Sequence, residues 1–150
     1  MYRFKYRDRQ EYASFYAREL SKKHGKWIRW KQIDVIVPVP LHKRKKKLRG
    51  YNQAELVARE LGKRVGIPVR TDVLIRCVDT KPQKEVSGRE RKQNLRSAFR
   101  MRKTGVQLKN VLVIDDIYTT GSTIDGVAAT LKTGGVQRVY FLSVSIGNGY

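Results

Sequence analysis

The apolar positions fall into two dense runs and several periodic stretches. Ile33-Asp34-Val35-Ile36-Val37-Pro38-Val39-Pro40 and Val111-Leu112-Val113-Ile114 are almost continuously apolar and rich in β-branched residues. Runs of that length read as strands buried on both faces, the parallel arrangement, and the prolines stop the first one. Val139 to Val144 predicts a last strand and Val73 to Cys77 a shorter one. Tyr2, Phe4 and Tyr6 alternate with Arg3, Lys5 and Arg7, a period of two that predicts a short strand at the start. Asp8 and Glu11 have the spacing of a capping box. They open a predicted helix from about Arg9 to Lys23, with Tyr12, Phe15, Tyr16 and Leu20 on one face and Gly25 at its end. Ala54, Val57, Ala58, Leu61 and Val65 recur at helical spacing before Gly66-Ile67-Pro68. Ile124, Val127, Ala128 and Leu131 do the same before Gly134-Gly135. His42 to Gly50 reads as a basic loop, and Asp79 to Arg96 as a long polar loop of the length that usually has a function. Strands alternating with helices predict an α/β domain with a mostly parallel sheet flanked by helices. No internal repeat or long linker interrupts residues 1–150, so one domain is expected.

Charge sharpens this picture. The 150 residues hold 33 Lys and Arg against 13 Asp and Glu, a formal net charge of +20. Residues 1–50 carry 16 basic and 4 acidic side chains, residues 51–100 carry 12 and 6, and residues 101–150 carry 5 and 3. A gradient of that kind implies a located basic face, and such a face attracts polyanions. Nucleic acid, pyrophosphate compounds and anionic membrane are the candidate partners. No apolar run reaches the ~18–20 residues of a membrane span, and the start lacks the apolar core of a signal peptide. One cysteine, Cys77, makes neither an intrachain disulfide nor a multi-cysteine zinc site. Cys77 is expected to be an inert core thiol, and the location cytoplasmic. Trp27 and Trp30, set among Lys26, Arg29 and Lys31, suit either a packed hood over the core or a stacking surface for single-stranded nucleic acid, and the packed hood is favoured. His24 and His42 are isolated and not read as metal ligands.

The chemistry concentrates in Val111-Leu112-Val113-Ile114-Asp115-Asp116-Ile117-Tyr118-Thr119-Thr120-Gly121-Ser122-Thr123. Ligands of open α/β sheets bind at the carboxyl ends of strands. Thr119 to Thr123 opens a helix, whose first turn offers unpaired N–H groups and a positive dipole end. The hydroxyls add donors, and Gly121 lets the backbone approach a ligand closely. Together they form a phosphate cradle. Asp115 and Asp116 are wrong for phosphate but right for hydroxyls, since an ionised carboxylate only accepts. A sugar diol joined to a phosphate satisfies both halves. Because neighbours on a strand point to opposite faces, both Asp can serve one sugar only if the strand ends near Asp115.

That segment resembles the phosphoribosyl-pyrophosphate (PRPP) motif of type I phosphoribosyltransferases. The resemblance implies the type I phosphoribosyltransferase fold, with residues 1–31 as a small N-terminal hood or extension and 32–150 as the PRPP-binding core. It assigns the ribose hydroxyls to Asp115 and Asp116, and PRPP binding to the whole of Asp115, Asp116, Ile117, Tyr118, Thr119, Thr120, Gly121, Ser122 and Thr123. It also implies Mg²⁺, carried largely by PRPP itself and without direct protein ligands.

Val37-Pro38-Val39-Pro40-Leu41-His42, the basic run and Arg49-Gly50-Tyr51-Asn52-Gln53-Ala54 resemble the ComF family of competence-related phosphoribosyltransferase-like proteins. The likeness runs from about residue 1 to 146. The glutamine-dependent amidophosphoribosyltransferases look like more distant relatives. Members of the ComF family usually carry an N-terminal four-cysteine zinc module, which this sequence lacks. The resemblance places pyrophosphate on Arg49, Gly50, Tyr51, Asn52 and Gln53. Arg49 has the planar fork for phosphate oxygens, while Asn52 would equally serve as a helix cap. The loop containing Gln83, Arg89, Arg91 and Asn94 resembles the mobile catalytic loop of these enzymes, with Arg89 and Arg91 expected on pyrophosphate. Closing such a loop excludes water and brings cations to the leaving group. Lys43, Arg44, Lys45, Lys46 and Lys47 form a run of like charges that fits a nucleic-acid contact or a solvated loop equally.

Two functions follow. One is a Mg²⁺-dependent phosphoribosyltransferase of unknown acceptor, joining a nitrogen nucleophile to ribose 5-phosphate with release of pyrophosphate. The other is a cytosolic single-stranded DNA-binding protein linked to the DNA-uptake machinery. The two are compatible within one fold.

Overall fold

A computed structural model describes residues 12–77 and 97–147. The expected strand over Tyr2 to Tyr6 and the loop residues Gln83, Arg89, Arg91 and Asn94 lie outside the described residues. In chain order the elements are α1 (Tyr12–Trp30), β1 (Val35–Pro38), α2 (Lys43–Arg49), α3 (Gln53–Val65), β2 (Leu74–Arg76), β3 (Phe99–Met101), β4 (Asn110–Tyr118), α4 (Ser122–Thr133) and β5 (Arg138–Ile146).

The main sheet has the order β1-β4-β5 and is parallel throughout, with Val35 opposite Val111 and Val111 opposite Val139. A single parallel bridge, Ile36 to Val69, extends it beyond β1. β4 is central because its run is apolar on both faces. Alternation then splits each run between two cores. Val35, Val37, Val111 and Val113 face Val127 and Leu131 of α4, together with Val73, Leu74 and Phe99. Ile36, Leu112 and Ile114 face Ala13, Ala17 and Ile28 of α1 and Val57, Ala58 and Leu61 of α3. α4 therefore covers one side of the sheet and α1 with α3 the other, each with an apolar stripe of helical period.

Several expectations need correcting. α1 does not stop at Gly25 but runs on to Trp30, because Ile28 is fully buried and carries the packing face another turn. The basic stretch after β1 is a helix, α2, rather than a loop. β2 and β3 pair antiparallel in a separate two-stranded sheet, so the parallel reading holds only for the main one. β2 ends at Arg76, which leaves Cys77 beyond the strand and exposed rather than in the core.

Candidate functional site

β4 carries the acid pair, and it does not end near Asp115. It continues to Tyr118, because the nine-residue β5 extends alongside it and offers Ser143 opposite Asp115, Ser145 opposite Ile117 and Ile146 opposite Tyr118. Alternation therefore directs the two carboxylates to opposite faces, against the condition that would point both at one sugar from a strand end. The Asp115 carboxylate turns along the chain, its Oδ1 accepting from the Asp116 backbone N–H at 2.8 Å. Both residues are half-buried.

The turn that follows is built for backbone exposure. Gly121 is the N-cap of α4 at φ 76°, ψ −6°, a left-handed conformation that glycine adopts without steric cost. As a glycine it supplies no side-chain acceptor for the first turn, whose N–H groups remain open to a ligand or water. The hydroxyls of Thr120 and Ser122 lie 2.9 Å apart, Ser122 is buried, and Thr119 and Thr120 are exposed. The Tyr118 ring stands over the glycine and meets Phe141 at 6.2 Å between centroids.

The segment after β1 comes to the same end of the sheet. Pro38 lies opposite Ile114, and the Val39 N–H donates to the Ile114 carbonyl at 2.9 Å. Asn52 fixes the next helix to this edge. Its Nδ2 donates to the Val39 carbonyl at 3.0 Å and its Oδ1 accepts from Ala54 N at 3.2 Å. Asn52 is thus a buried cap for α3. Gln53 is 1% exposed; its Oε1 accepts from Arg49 Nη1 at 3.4 Å, while its Nε2 has no hydrogen-bond partner among the described residues. A buried amide left without a partner is costly. The structure thus brings Arg49 to Gln53 and Asp115 to Thr123 onto adjacent strand ends.

α2 leads into this corner. His42 caps it through Nδ1, which accepts from Arg44 N at 3.4 Å, and Gly50 closes it at φ 78° with its N–H on the Lys46 carbonyl. None of its residues is buried, and Lys43, Arg44, Lys46 and Lys47 are exposed. Glu55 holds it down, with Lys46 Nζ on Oε2 at 3.3 Å and Arg59 Nη2 on Oε1 at 2.9 Å. Burial raises the Glu55 carboxyl, but the hydrogen bond from Arg59 and the charge of Lys46 outweigh it and hold the group below its ordinary value. Sequence reading missed Glu55. Its spacing to Arg59 is a helical i,i+4 pair visible in the chain, whereas its reach to Lys46 depends on the turn between two helices.

The implied Mg²⁺ can be tested against the donors present. Among the described residues no three His, Cys, Asp or Glu side chains converge on a metal position. The Asp115 and Asp116 carboxylates beside the Gly121 turn would suit Mg²⁺ only if it arrived on a ligand's own phosphate oxygens, the mode this ion favours over an all-protein cage.

Residues 15–145 match the phosphoribosyl transferase domain family. Competence protein F of Haemophilus influenzae is 34% identical over 108 residues, which cover 71% of this chain and 47% of that protein. DNA utilization protein YhgH of Escherichia coli K12 is 33% identical over 142 residues, covering 93% and 62% respectively. The chain thus spans between about half and three-fifths of the length of these relatives. A crystal structure of adenine phosphoribosyltransferase superposes with a TM-score of 0.56 at 13% identity, over 87% of this chain and 67% of that one, a likeness of fold alone. The chain belongs to the phosphoribosyl transferase domain family, as a phosphoribosyltransferase-like protein of the ComF type.

Proposed function

We propose that this chain binds PRPP, or another ribose 5-phosphate compound, at the carboxyl end of β4 and transfers the phosphoribosyl group to a nitrogen nucleophile with release of pyrophosphate. The observation that carries this reading is the uncapped, left-handed Gly121 turn placed directly after an acid pair on the central strand. In this reading the first-turn N–H groups of α4, with Thr119, Thr120, Ser122 and Thr123, hold the 5-phosphate. Of Asp115 and Asp116, which β4 directs to opposite faces, the carboxylate on the ligand's side accepts from the ribose hydroxyls. Arg49 and Gln53 contact the pyrophosphate, with Arg89 and Arg91 assigned to the same leaving group. Bound Mg²⁺ would neutralise charge on the pyrophosphate. The chain's own contribution is to orient the ribose and to place cations where negative charge develops. A cytoplasmic location is proposed with it; no helix among the described residues is long and apolar enough to cross a membrane.

The test is calorimetric titration of Mg²⁺–PRPP into wild type and an Asp115→Asn/Asp116→Asn variant, with pyrophosphate release followed across nitrogen nucleophiles. Tight binding to wild type and loss in the variant supports the reading, and unchanged affinity in the variant overturns it.

A second role is supported by α2, a surface helix of cations with no buried residue. Relatives named for competence and DNA utilization point the same way. We infer that the chain also binds single-stranded DNA within the DNA-uptake machinery, with Lys43, Arg44, Lys45, Lys46 and Lys47 among the phosphate contacts.

A further inference from the structure

The amino end of the sheet holds a feature that the PRPP reading does not use. α1 ends there in Trp27-Ile28-Arg29-Trp30-Lys31. Ile28 is fully buried and sets the helix against the core, and this turns Trp30 outward at 73% exposure. Lys31 folds over one face of it, with Nζ 4.1 Å from the ring centroid. The same ammonium lies 5.4 Å from the ring of Tyr140, which meets Trp27 edge-on at 5.6 Å and 88°. Trp27 and Tyr140 thus meet directly, and Lys31 links Tyr140 to Trp30. Between Leu20 and Ile33 the chain carries Lys22, Lys23, Lys26, Arg29 and Lys31 and no carboxylate. Lys22, Lys23, Lys26 and Arg29 are exposed.

The position is fixed by the strands. Tyr140 pairs with Leu112 near the start of β4, and Asn110, the first residue of β4, donates through Nδ2 to the Gln32 carbonyl at 3.0 Å. These rings therefore lie at the opposite end of the parallel sheet from Asp115 to Thr123, and a ligand there would leave the PRPP segment free.

Sequence alone favoured a packed hood for both tryptophans. The structure divides them: Trp27 is half-buried against Tyr140, and Trp30 is exposed. An exposed indole with one face covered by its own lysine presents the other face to a flat partner. The exposed Lys22, Lys23, Lys26 and Arg29 of the same helix outnumber the one carboxylate at this end, Asp34, which is engaged by the Lys109 and Asn110 N–H groups, and this balance favours a polyanion. A base stacked on an aromatic ring with its phosphates on neighbouring lysines meets both conditions. Duplex DNA does not, because its bases are already stacked on each other.

We infer that Trp30, Lys31, Trp27 and Tyr140 form a stacking site for single-stranded DNA at the amino end of the sheet, separate from α2. This deepens the DNA reading above and rests on it. Trp27 and Trp30 are the chain's two tryptophans, so indole emission reports on this surface alone.

The experiment titrates a thymidine oligonucleotide of about 16 residues, the upper end of such footprints, into wild type, Trp30→Ala, Trp30→Phe, Lys31→Ala and a variant with residues 43–47 replaced by alanine. Binding is followed by anisotropy and by indole emission. In wild type the emission is quenched on binding. Trp30→Ala weakens affinity roughly 5- to 150-fold, the value of one stacked base, and Trp30→Phe restores much of it. Lys31→Ala lowers the slope of log affinity against log salt by roughly 0.7. A self-paired duplex of the same length leaves the emission unchanged. The inference is overturned if wild type binds the oligonucleotide while its emission is unaltered or Trp30→Ala binds equally well. In that outcome the DNA reading survives on α2. Tighter binding of the uridine counterpart overturns the assignment to DNA. If wild type binds no oligonucleotide, the DNA reading itself fails. Trp30 is mostly in solvent, so its replacement leaves the core intact and the comparison interpretable.

Discussion

The phenolic oxygen of Tyr118 stands 3.0 Å from the point that a β-carbon on Gly121 would occupy. The turn that opens α4 is thus closed to side chains twice over, by its left-handed backbone at φ 76° and by a ring. Gly121→Ala is expected to cost about 1–2 kcal/mol from the backbone alone and to displace Tyr118 by a few tenths of an ångström. Adding Tyr118→Phe removes the nearest atom and leaves the next at 3.5 Å, an ordinary contact. The double variant should therefore recover the steric part of the loss but not the backbone part. Thermal unfolding separates these two contributions, and Mg²⁺–PRPP titration reads the effect on the cradle.

Glu55 predicts an acid response. Its carboxyl lies below its ordinary value in the fold, held there by Arg59 and Lys46 against the opposing effect of burial. A depressed carboxyl contributes its full stability above its unfolded value, about 4.3. It loses that contribution as pH falls through the folded value. Glu55→Gln should lower stability at neutral pH by about 0.5–1 kcal/mol, since both cationic partners are half-exposed. It should also flatten the fall of stability below about pH 5. Denaturant unfolding of both proteins at a series of pH values checks this. Parallel pH profiles would show that Glu55 holds α2 by shape alone.

Two glycines inside helices should respond in opposite senses. Gly25 is buried in α1, yet a β-carbon there would meet Ser21 Oγ at 3.8 Å and Arg29 Nη1 at 3.7 Å, both ordinary contacts. Gly25→Ala is expected to stabilise by about 0.5–1 kcal/mol through the lower backbone entropy of the unfolded chain. In α3 a β-carbon on Gly62 would sit 2.6 Å from Val69 Cγ2 and 2.7 Å from the Ile67 carbonyl oxygen. That carbonyl is backbone and cannot swing away, so Gly62→Ala should cost about 1–3 kcal/mol. Melting temperatures of the two variants should move apart, upward for Gly25→Ala and downward for Gly62→Ala.

These glycines also show where the chain was legible. The main sheet was readable because Val35 to Val37 and Val111 to Ile114 are apolar on consecutive positions and rich in β-branched residues, a pattern that fits a doubly covered strand. α3 and α4 were readable from their apolar spacing and closing glycines. α2 was hidden, since consecutive lysines repel and carry no apolar stripe. Its support comes from His42, Gly50 and the cross-helix Glu55, and only the tertiary fold brings Glu55 to Lys46. Gly25 looked like a stop because a terminal glycine and an interior one are alike in sequence; burial of Ile28 one turn later decides between them. At the site, the residue types from Asp115 to Thr123 were plain, but the length of β4 was not. It is set by β5, whose Ser143, Ser145 and Ile146 carry the ladder past Asp115 to Tyr118.

Gln53 joins stability to ligand binding. It is 1% exposed, its Oε1 takes one long hydrogen bond from Arg49, and its Nε2 is unpaired among the described residues. Leaving a buried donor unsatisfied costs about 1–3 kcal/mol. Methionine has a similar length and removes that donor, with loss of only the 3.4 Å contact to Arg49. Gln53→Met should therefore leave the free protein as stable as wild type or raise its melting temperature. If the amide serves pyrophosphate, directly or by orienting Arg49, the same change should weaken Mg²⁺–PRPP binding roughly 10-fold or more, the value of a hydrogen bond to a charged group. Ribose 5-phosphate, which lacks the pyrophosphate, should bind both proteins equally. A variant that is stabilised yet binds PRPP as wild type does would make Gln53 a packing residue. The pyrophosphate contact would then fall to Arg49, Arg89 and Arg91.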